Sequence, residues 1–332
     1  MPVRRPEPGA LGAGLLHIPR EAAGAVAEMS PPTVQVDGAA PGKPLWIGYD
    51  PQTKKETRVH EPTPSPADPI GVFDSGVGGL SVLREIRHAL PHEDLIYVAD
   101  SGHAPYGDQP LEFIEGRAST VVRFLLAANV KAITIACNTA TVVAVEKLRA
   151  WSPVPIVAIE PAIKPAAGST KSGIIGVLAT RQTLASPSVS RLCAVYGDKV
   201  QIHLQACPGL VEQVESAELA GEKSAELVRR YVAPLLDMGV DTLVLGCTHY
   251  PFLEPLIRAI AGPHVNIIDP AAAVARELTR QLTTRQLLAT RARLGTESFY
   301  SSGSSAQAQN VIPRLWGGDL IVQELPLTGL QP

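Results

Sequence analysis

A chain of 332 residues, 45% hydrophobic, can fill the cores of two ordinary domains, because a single core rarely grows much beyond about 250 residues. Its 29 basic and 32 acidic residues leave a formal charge of -3 with no Lys/Arg-rich run to neutralise a phosphate backbone, so no nucleic-acid partner is expected. Four cysteines (Cys137, Cys193, Cys207, Cys247) lie far apart, without a C-x-x-C pair or a nearby His at zinc-finger spacing, which excludes a disulfide framework or a structural metal site as the expected design.

The first 68 residues differ in texture from the rest. Arg4, Arg5, an apolar run from Gly9 to Ile18, and Ala25-Val26-Ala27 loosely imitate a secretory signal. Pro6, Pro8, Pro19 and the pair Arg20-Glu21 interrupt it, and thirteen of the thirty prolines fall by Pro69. Residues 1–68 therefore read as a poorly ordered, Pro-rich extension, with Met29 an alternative start. Apolar runs such as residues 120–130 are shorter than the roughly 18 uninterrupted apolar residues of a membrane span. A cytoplasmic protein with free thiols and no membrane partner is expected.

From Pro69, short apolar strands alternate with amphipathic helices. PIGVF precedes a helix whose face carries Leu80, Leu83, Ile86, Arg87 and Leu90; LIYVA precedes a helix over 113–128; AITIAC precedes a helix over 142–148. This β-α-β rhythm predicts an α/β fold with mostly parallel sheets flanked by helices. IGVFDS at 70–75 returns as IGVLAT at 175–180, an offset of 105, and the strand ending on Cys137 returns as the one ending on Cys247, an offset of 110. Two similar lobes related by a pseudo-two-fold are implied, one over 69–159 plus 274–332, the other over 160–273. Ligands of open parallel sheets sit outside the strands' carboxyl ends, so the site is expected between the lobes.

A lone cysteine is usually an inert core residue, and Cys193 and Cys207 are read that way. Cys137 and Cys247 each end a strand and precede small polar residues able to cap a helix, and a helix N-terminus can draw a thiol down to roughly 3.5–7.5. DSGVGG, 74–79, is neither a dinucleotide fingerprint, since Ser81 stands where the last glycine would be, nor a Walker loop. It reads as a glycine turn bringing backbone N–H groups to a small anion, with Asp74 and Ser75 entering the cleft. HAPYGDQP, 103–110, would be an ordinary surface turn but for its place after LIYVA at the same sheet edge. His249, two residues from Cys247, is placed to tune the thiol or act as its proton partner. Glu212 and Glu215 fall on a charged helix face, where solvation is expected.

DSGVGG, PYG, ACNTA, LATRQT and GCTHYP, in this order, resemble the bacterial glutamate racemases of the cofactor-independent aspartate/glutamate racemase superfamily, from about Ile70 to FYSSG at 299–303. The resemblance implies that Cys137 and Cys247 are acid/base residues on opposite faces of the substrate Cα, assisted by Asp74 and His249. It implies that Asp74, Ser75, Tyr106, Gly107, Asn138, Thr139, Thr183, Thr248 and His249 hold glutamate, with no metal and no cofactor. An acidic residue aligned near Glu215 assists in some members, although CPGLVEQVE is too loose to place it. Racemisation supplying D-glutamate for peptidoglycan, a homodimer, and a cell-wall-precursor activator of the kind that accompanies an N-terminal extension in one branch are the corresponding expectations. Aspartate racemisation or a related isomerase is the alternative, since one methylene is worth only about 1–3 kcal/mol in a pocket. Decarboxylase relatives use one cysteine, and a two-lobed binding regulator needs no reactive thiol.

Overall fold

A computed structural model of the chain describes residues 47–50, 55–58 and 63–326. Residues 1–46, where most of the expected irregular extension falls, lie outside the described residues. Two short strands, β1 (Ile47–Asp50) and β2 (Lys55–Arg58), pair antiparallel.

Strands and helices then alternate as the hydrophobic periodicity predicts. The first run is β3 (Ile70–Asp74), α1 (Leu80–Ala89), β4 (Leu95–Ala99), α2 (Leu111–Ala127), β5 (Ala132–Ile135), α3 (Asn138–Trp151) and β6 (Ile156–Ala158). The second begins with α4 (Ile163–Ser169), β7 (Ile174–Ala179), α5 (Arg181–Leu184), α6 (Pro187–Tyr196) and β8 (Gln201–Ala206). It continues through α7 (Leu210–Glu215), α8 (Glu222–Asp237), β9 (Thr242–Gly246), α9 (Glu254–Ala261) and β10 (Asn266–Ile268). The chain returns through α10 (Ala271–Thr284), β11 (Glu297–Ser301), α11 (Ser305–Trp316) and β12 (Val322–Glu324).

Two parallel sheets result, ordered β12-β11-β4-β3-β5-β6 and β10-β9-β7-β8. The order β4-β3-β5-β6 in the first is repeated by β8-β7-β9-β10 in the second. The two sequence repeats therefore fall on equivalent places: β3 matches β7 at the sheet centre, and β5 matches β9 beside it.

Alternation along each strand divides the core. Ile70 and Val72 share one cluster with Leu80, Leu83 and Ile86 of α1, as the 3.6-residue spacing predicts, while Phe73 turns to the other face with Ile114, Val121 and Leu125 of α2. Burying each such side chain contributes about 1.5–3 kcal/mol. The first cluster continues without a break into the second sheet's lobe through Leu210, Val228 and Leu243, so the lobes share packing behind the cleft. One ion pair is interred nearby: Lys131 Nζ lies 2.5 Å from Glu93 Oε2, with side-chain exposures of 0% and 2%. Lys131 also donates to Pro66 O at 2.8 Å, and Glu93 Oε1 accepts Ala289 N–H at 2.8 Å, so neither charge is left with a single partner.

Candidate active site

The carboxyl ends of β3, β5, β7 and β9 deliver Ser75, Cys137, Thr180 and Cys247 to one narrow cavity. Tyr106, Gly107, Asn138, Thr139, Thr248 and His249 also line it, with Pro105 and Val211. Nine of the residues singled out in the sequence thus meet in one place, and both lobes contribute a cysteine. Thr180 is the one polar lining residue that motif reading passed over. It occupies the place in IGVLAT that Ser75 occupies in IGVFDS, so the repeat itself held the signal.

On the first wall, Cys137 is the N-cap of α3. Its Sγ accepts the Ala140 N–H at 3.4 Å and lies 3.3 Å from Ser75 Oγ, to which the thiol donates. The helix begins at Asn138, immediately after the sulfur, rather than at 142 as the apolar spacing suggests. A helix terminus should favour a thiolate, but burial dominates: desolvation first, then the charge of Asp74, push the Cys137 thiol up to about 12 against the hydrogen bonds with Ser75 and Ala140. The expectation of a lowered thiol is corrected accordingly; a single cap amide supplies less than complete removal of water takes away. Asp74 does not line the cavity but stands fully buried beneath it, accepting Thr248 Oγ1 at 3.2 Å and Gly76 N–H at 3.2 Å. Burial raises its carboxyl, partly opposed by the charge of His249.

On the second wall, Cys247 Sγ is 3.7 Å from His249 Nδ1, and His249 Nε2 is 2.7 Å from Glu215 Oε1. Burial disfavours a charged imidazole here, yet the hydrogen bonds to Cys247 and Glu215 outweigh it and lift His249 well above its ordinary range. Glu215 corrects the sequence reading. Its side chain is only 14% exposed, and it accepts Val77 N–H at 2.7 Å and Ser101 Oγ–H at 3.0 Å besides the histidine. Nothing in LVEQVE announces this, because the partners lie 114 and 138 residues away.

The glycines of DSGVGG act by closeness. None of Gly76, Gly78 and Gly79 has a positive φ. A Cβ on Gly76 would lie 2.7 Å from Glu215 Cδ, and one on Gly78 would lie 2.6 Å from His249 Cε1. Amides of the turn are taken by side chains of the protein itself, Val77 N–H by Glu215 and Gly76 N–H by Asp74, where the sequence suggested a free small anion.

Tyr106 presents its ring to the cavity, because its hydroxyl donates to Asp100 Oδ2 at 2.5 Å. Asp100 is itself gripped by Arg117 at 2.9 and 2.7 Å. Thr139 Oγ1 meets Thr180 Oγ1 at 2.9 Å and Thr183 Oγ1 at 3.3 Å, joining the lobes through hydroxyls. Thr183 is one step behind the lining, supporting Thr139 and Thr180. Both amide atoms of buried Asn138 are without a protein partner, which leaves a donor and an acceptor for a ligand. Among the described residues no group of three or more His, Cys, Asp or Glu is arranged to hold a metal ion.

A family profile described as Asp/Glu/Hydantoin racemase matches residues 70–278. The glutamate racemase of Methylococcus capsulatus is 54% identical over 258 residues, covering 78% of this chain and 95% of the relative. That of Pseudomonas aeruginosa PAO1 is 48% identical over 257 residues, covering 77% and 97%. Among solved structures, glutamate racemase isoform RacE1 of Bacillus anthracis superposes with a TM-score of 0.72 at 33% identity, covering 81% of this chain and 99% of that one. Escherichia coli glutamate racemase in complex with L-glutamate and the activator UDP-MurNAc-ala superposes with a TM-score of 0.69 at 33% identity, covering 78% and 98%. With its strand order, its paired cysteine loops and these relatives, the chain belongs to the Asp/Glu/Hydantoin racemase family, among the glutamate racemases.

Proposed function

We propose that the chain interconverts L- and D-glutamate without a cofactor, by passing the Cα proton between Cys137 and Cys247, and that it supplies D-glutamate for peptidoglycan. The carrying observation is that two cysteines from equivalent strand ends of two sheets line one cavity. Inversion at carbon requires a base on one face and an acid on the other, and thiols serve in both roles.

The hydrogen bonds to Cys247 and Glu215 favour the charged form of His249 beside the Cys247 sulfur, whereas burial, with the charge of Asp74, favours the protonated form of Cys137. In one direction the Cys247 thiolate takes the Cα proton, and the electron pair left on carbon spreads into the α-carboxylate. The Cys137 thiol then delivers its own proton to the opposite face. The substrate is inverted, the sulfurs have exchanged states, and the reverse reaction uses them in the opposite order. Ser75, Asn138, Thr139, Thr180 and Thr248 surround the cavity with donors for the developing charge, each such donor being worth roughly 10²–10³-fold in rate. Tyr106 and Gly107 complete the binding wall, Thr183 acts through its threonine neighbours, and Asp74 and His249 assist the nearer thiol.

Incubation with L-glutamate in D2O tests the proposal. Loss of optical activity with deuterium gained at Cα is expected, and Cys137→Ser and Cys247→Ser should each abolish it in a folded protein. Absence of exchange by the folded wild-type chain would defeat the assignment, and faster exchange of aspartate than of glutamate would move it to the alternative substrate.

Homodimeric assembly, cytoplasmic residence and response to a cell-wall precursor belong to the same proposal. The E. coli relative bound to UDP-MurNAc-ala supports the last. No described helix is long and apolar enough to cross a membrane. Sedimentation at twice the mass of a single chain, and rate measurements with and without UDP-MurNAc-ala, test the first and third.

A further inference from the structure

We infer that Ser101 is a positioning residue for the Cys247–His249–Glu215 string, fastening Glu215 from the opposite lobe so that the string is set only when the cleft is closed. Glu215 lies on α7 and His249 follows β9, both in the second lobe. Val77 follows β3 and Ser101 follows β4, both in the first. Oε1 of Glu215 is shared between His249 Nε2 and Val77 N–H, each at 2.7 Å. Among the described residues the hydrogen bond to Oε2 comes from Ser101 Oγ, at 3.0 Å. A carboxylate held through one oxygen alone can pivot about that oxygen; the second attachment fixes its plane and therefore the direction of the histidine bond.

Ser101 is itself well placed to act as a fixed point. Its neighbour Asp100 is fully buried, carries the bidentate Arg117 and accepts the Tyr106 hydroxyl, so one anchor orients both a cavity wall and the Glu215 fastening. The next residue, Gly102, donates its N–H to Ser302 Oγ at 3.2 Å, tying the turn to the strand end of β11. Parting the lobes would remove Val77 N–H and Ser101 O–H from Glu215 together, leaving it to His249 and water. Other titratable groups around the string are Asp74, Tyr97 and Cys137 from the first lobe, and Cys207 and Tyr250 from the second.

The activity readout rests on the proposed racemisation, but the thiol readout does not. Ser101→Ala is compared with wild type and with Ser101→Thr, which keeps a hydroxyl. Site-resolved iodoacetamide labelling without substrate is followed from pH 5 to 10. The half-labelling pH of Cys247 is expected to rise in Ser101→Ala, that of Cys137 to stay, and Thr to restore the wild-type curve. In turnover, a loss of kcat of roughly tenfold is expected, at the lower end of what removing a hydrogen bond to a charged group costs, with KM changed less than about twofold. An unmoved Cys247 curve, or a Thr variant no better than Ala, overturns the inference. If wild type does not racemise glutamate but the Cys247 curve moves as described, the proposed function falls and the fastening stands.

Discussion

Replacing Gly78 by alanine adds one carbon at the point where the DSGVGG turn passes over His249. The backbone accepts the change, because Gly78 is not in the left-handed region. The side chain does not fit: the new Cβ would stand 2.6 Å from His249 Cε1 and 2.7 Å from Cγ, against an ordinary contact near 3.4 Å, so turn or ring must yield by at least about 0.8 Å. The ring is 2% exposed and bonded at both nitrogens, to Glu215 at 2.7 Å and towards Cys247 at 3.7 Å. A shift of this size breaks alignment with one partner, and misplacement by about 1 Å costs on the order of 10²-fold in rate. Overpacking should cost about 1–3 kcal/mol of stability, leaving the protein folded. Racemisation followed by circular dichroism, beside thermal unfolding of the same preparation, should therefore give kcat/KM down roughly 100-fold with a melting temperature lowered by only several degrees. Gly116→Ala is the control. It lies inside α2 with nothing within 4 Å of the added carbon, so it should leave turnover unchanged and stabilise by about 0.5–1 kcal/mol. Turnover within threefold of wild type in Gly78→Ala would refute the reasoning, since it would mean that the position of the His249 ring is not critical.

Three further outcomes concern stability. Burial pushes Cys137 from 9.0 to about 12, so above pH 9 the unfolded chain releases a proton that the folded chain retains, and stability declines as pH rises. Cys137→Ser should lose about 2 kcal/mol less than wild type between pH 8 and 10.5 in urea unfolding; equal declines would show that this thiol is not so raised. Asp269 is pushed up to about 6, by burial first and also by Glu85 and Glu254 against the Ala271 N–H, so its stabilising protonated form is lost as pH rises through 6. Asn can still accept that N–H, and Asp269→Asn should be roughly 2 kcal/mol more stable than wild type at pH 8 and no more stable at pH 4, with a pH-independent difference counting against it. Lys131→Met strands Glu93 as a buried charge and should cost about 3–5 kcal/mol, with much of it recovered by adding Glu93→Gln; a loss under 1 kcal/mol would mean that water reaches the pair.

The α/β alternation and the cysteine pairing were legible because both are written in short segments; the strand order within each sheet was not. Ile70–Asp74 and Ile174–Ala179 repeat each other's apolar pattern, and Cys137 and Cys247 each close a strand, so local sequence already marks equivalent places in two sheets. Thr180 could have been found from the same repeat. The attachments of Glu215 could not: the racemase resemblance reached only as far as an acidic residue nearby, and by local pattern a glutamate at the end of a six-residue helix reads as solvated until its partners are known.

Which residues end at the strand tips, and that there are two sets of them, follow from periodicity of two and 3.6 along the chain alone. What only tertiary structure decided is the surroundings of those residues and of the side chains behind them: burial removes water from Cys137 and pushes its thiol up, and Val77 and Ser101 reach Glu215 across the cleft. Desolvation and hydrogen bonds over more than a hundred residues of separation depend on how the lobes close upon one another, and no window of sequence contains that distance.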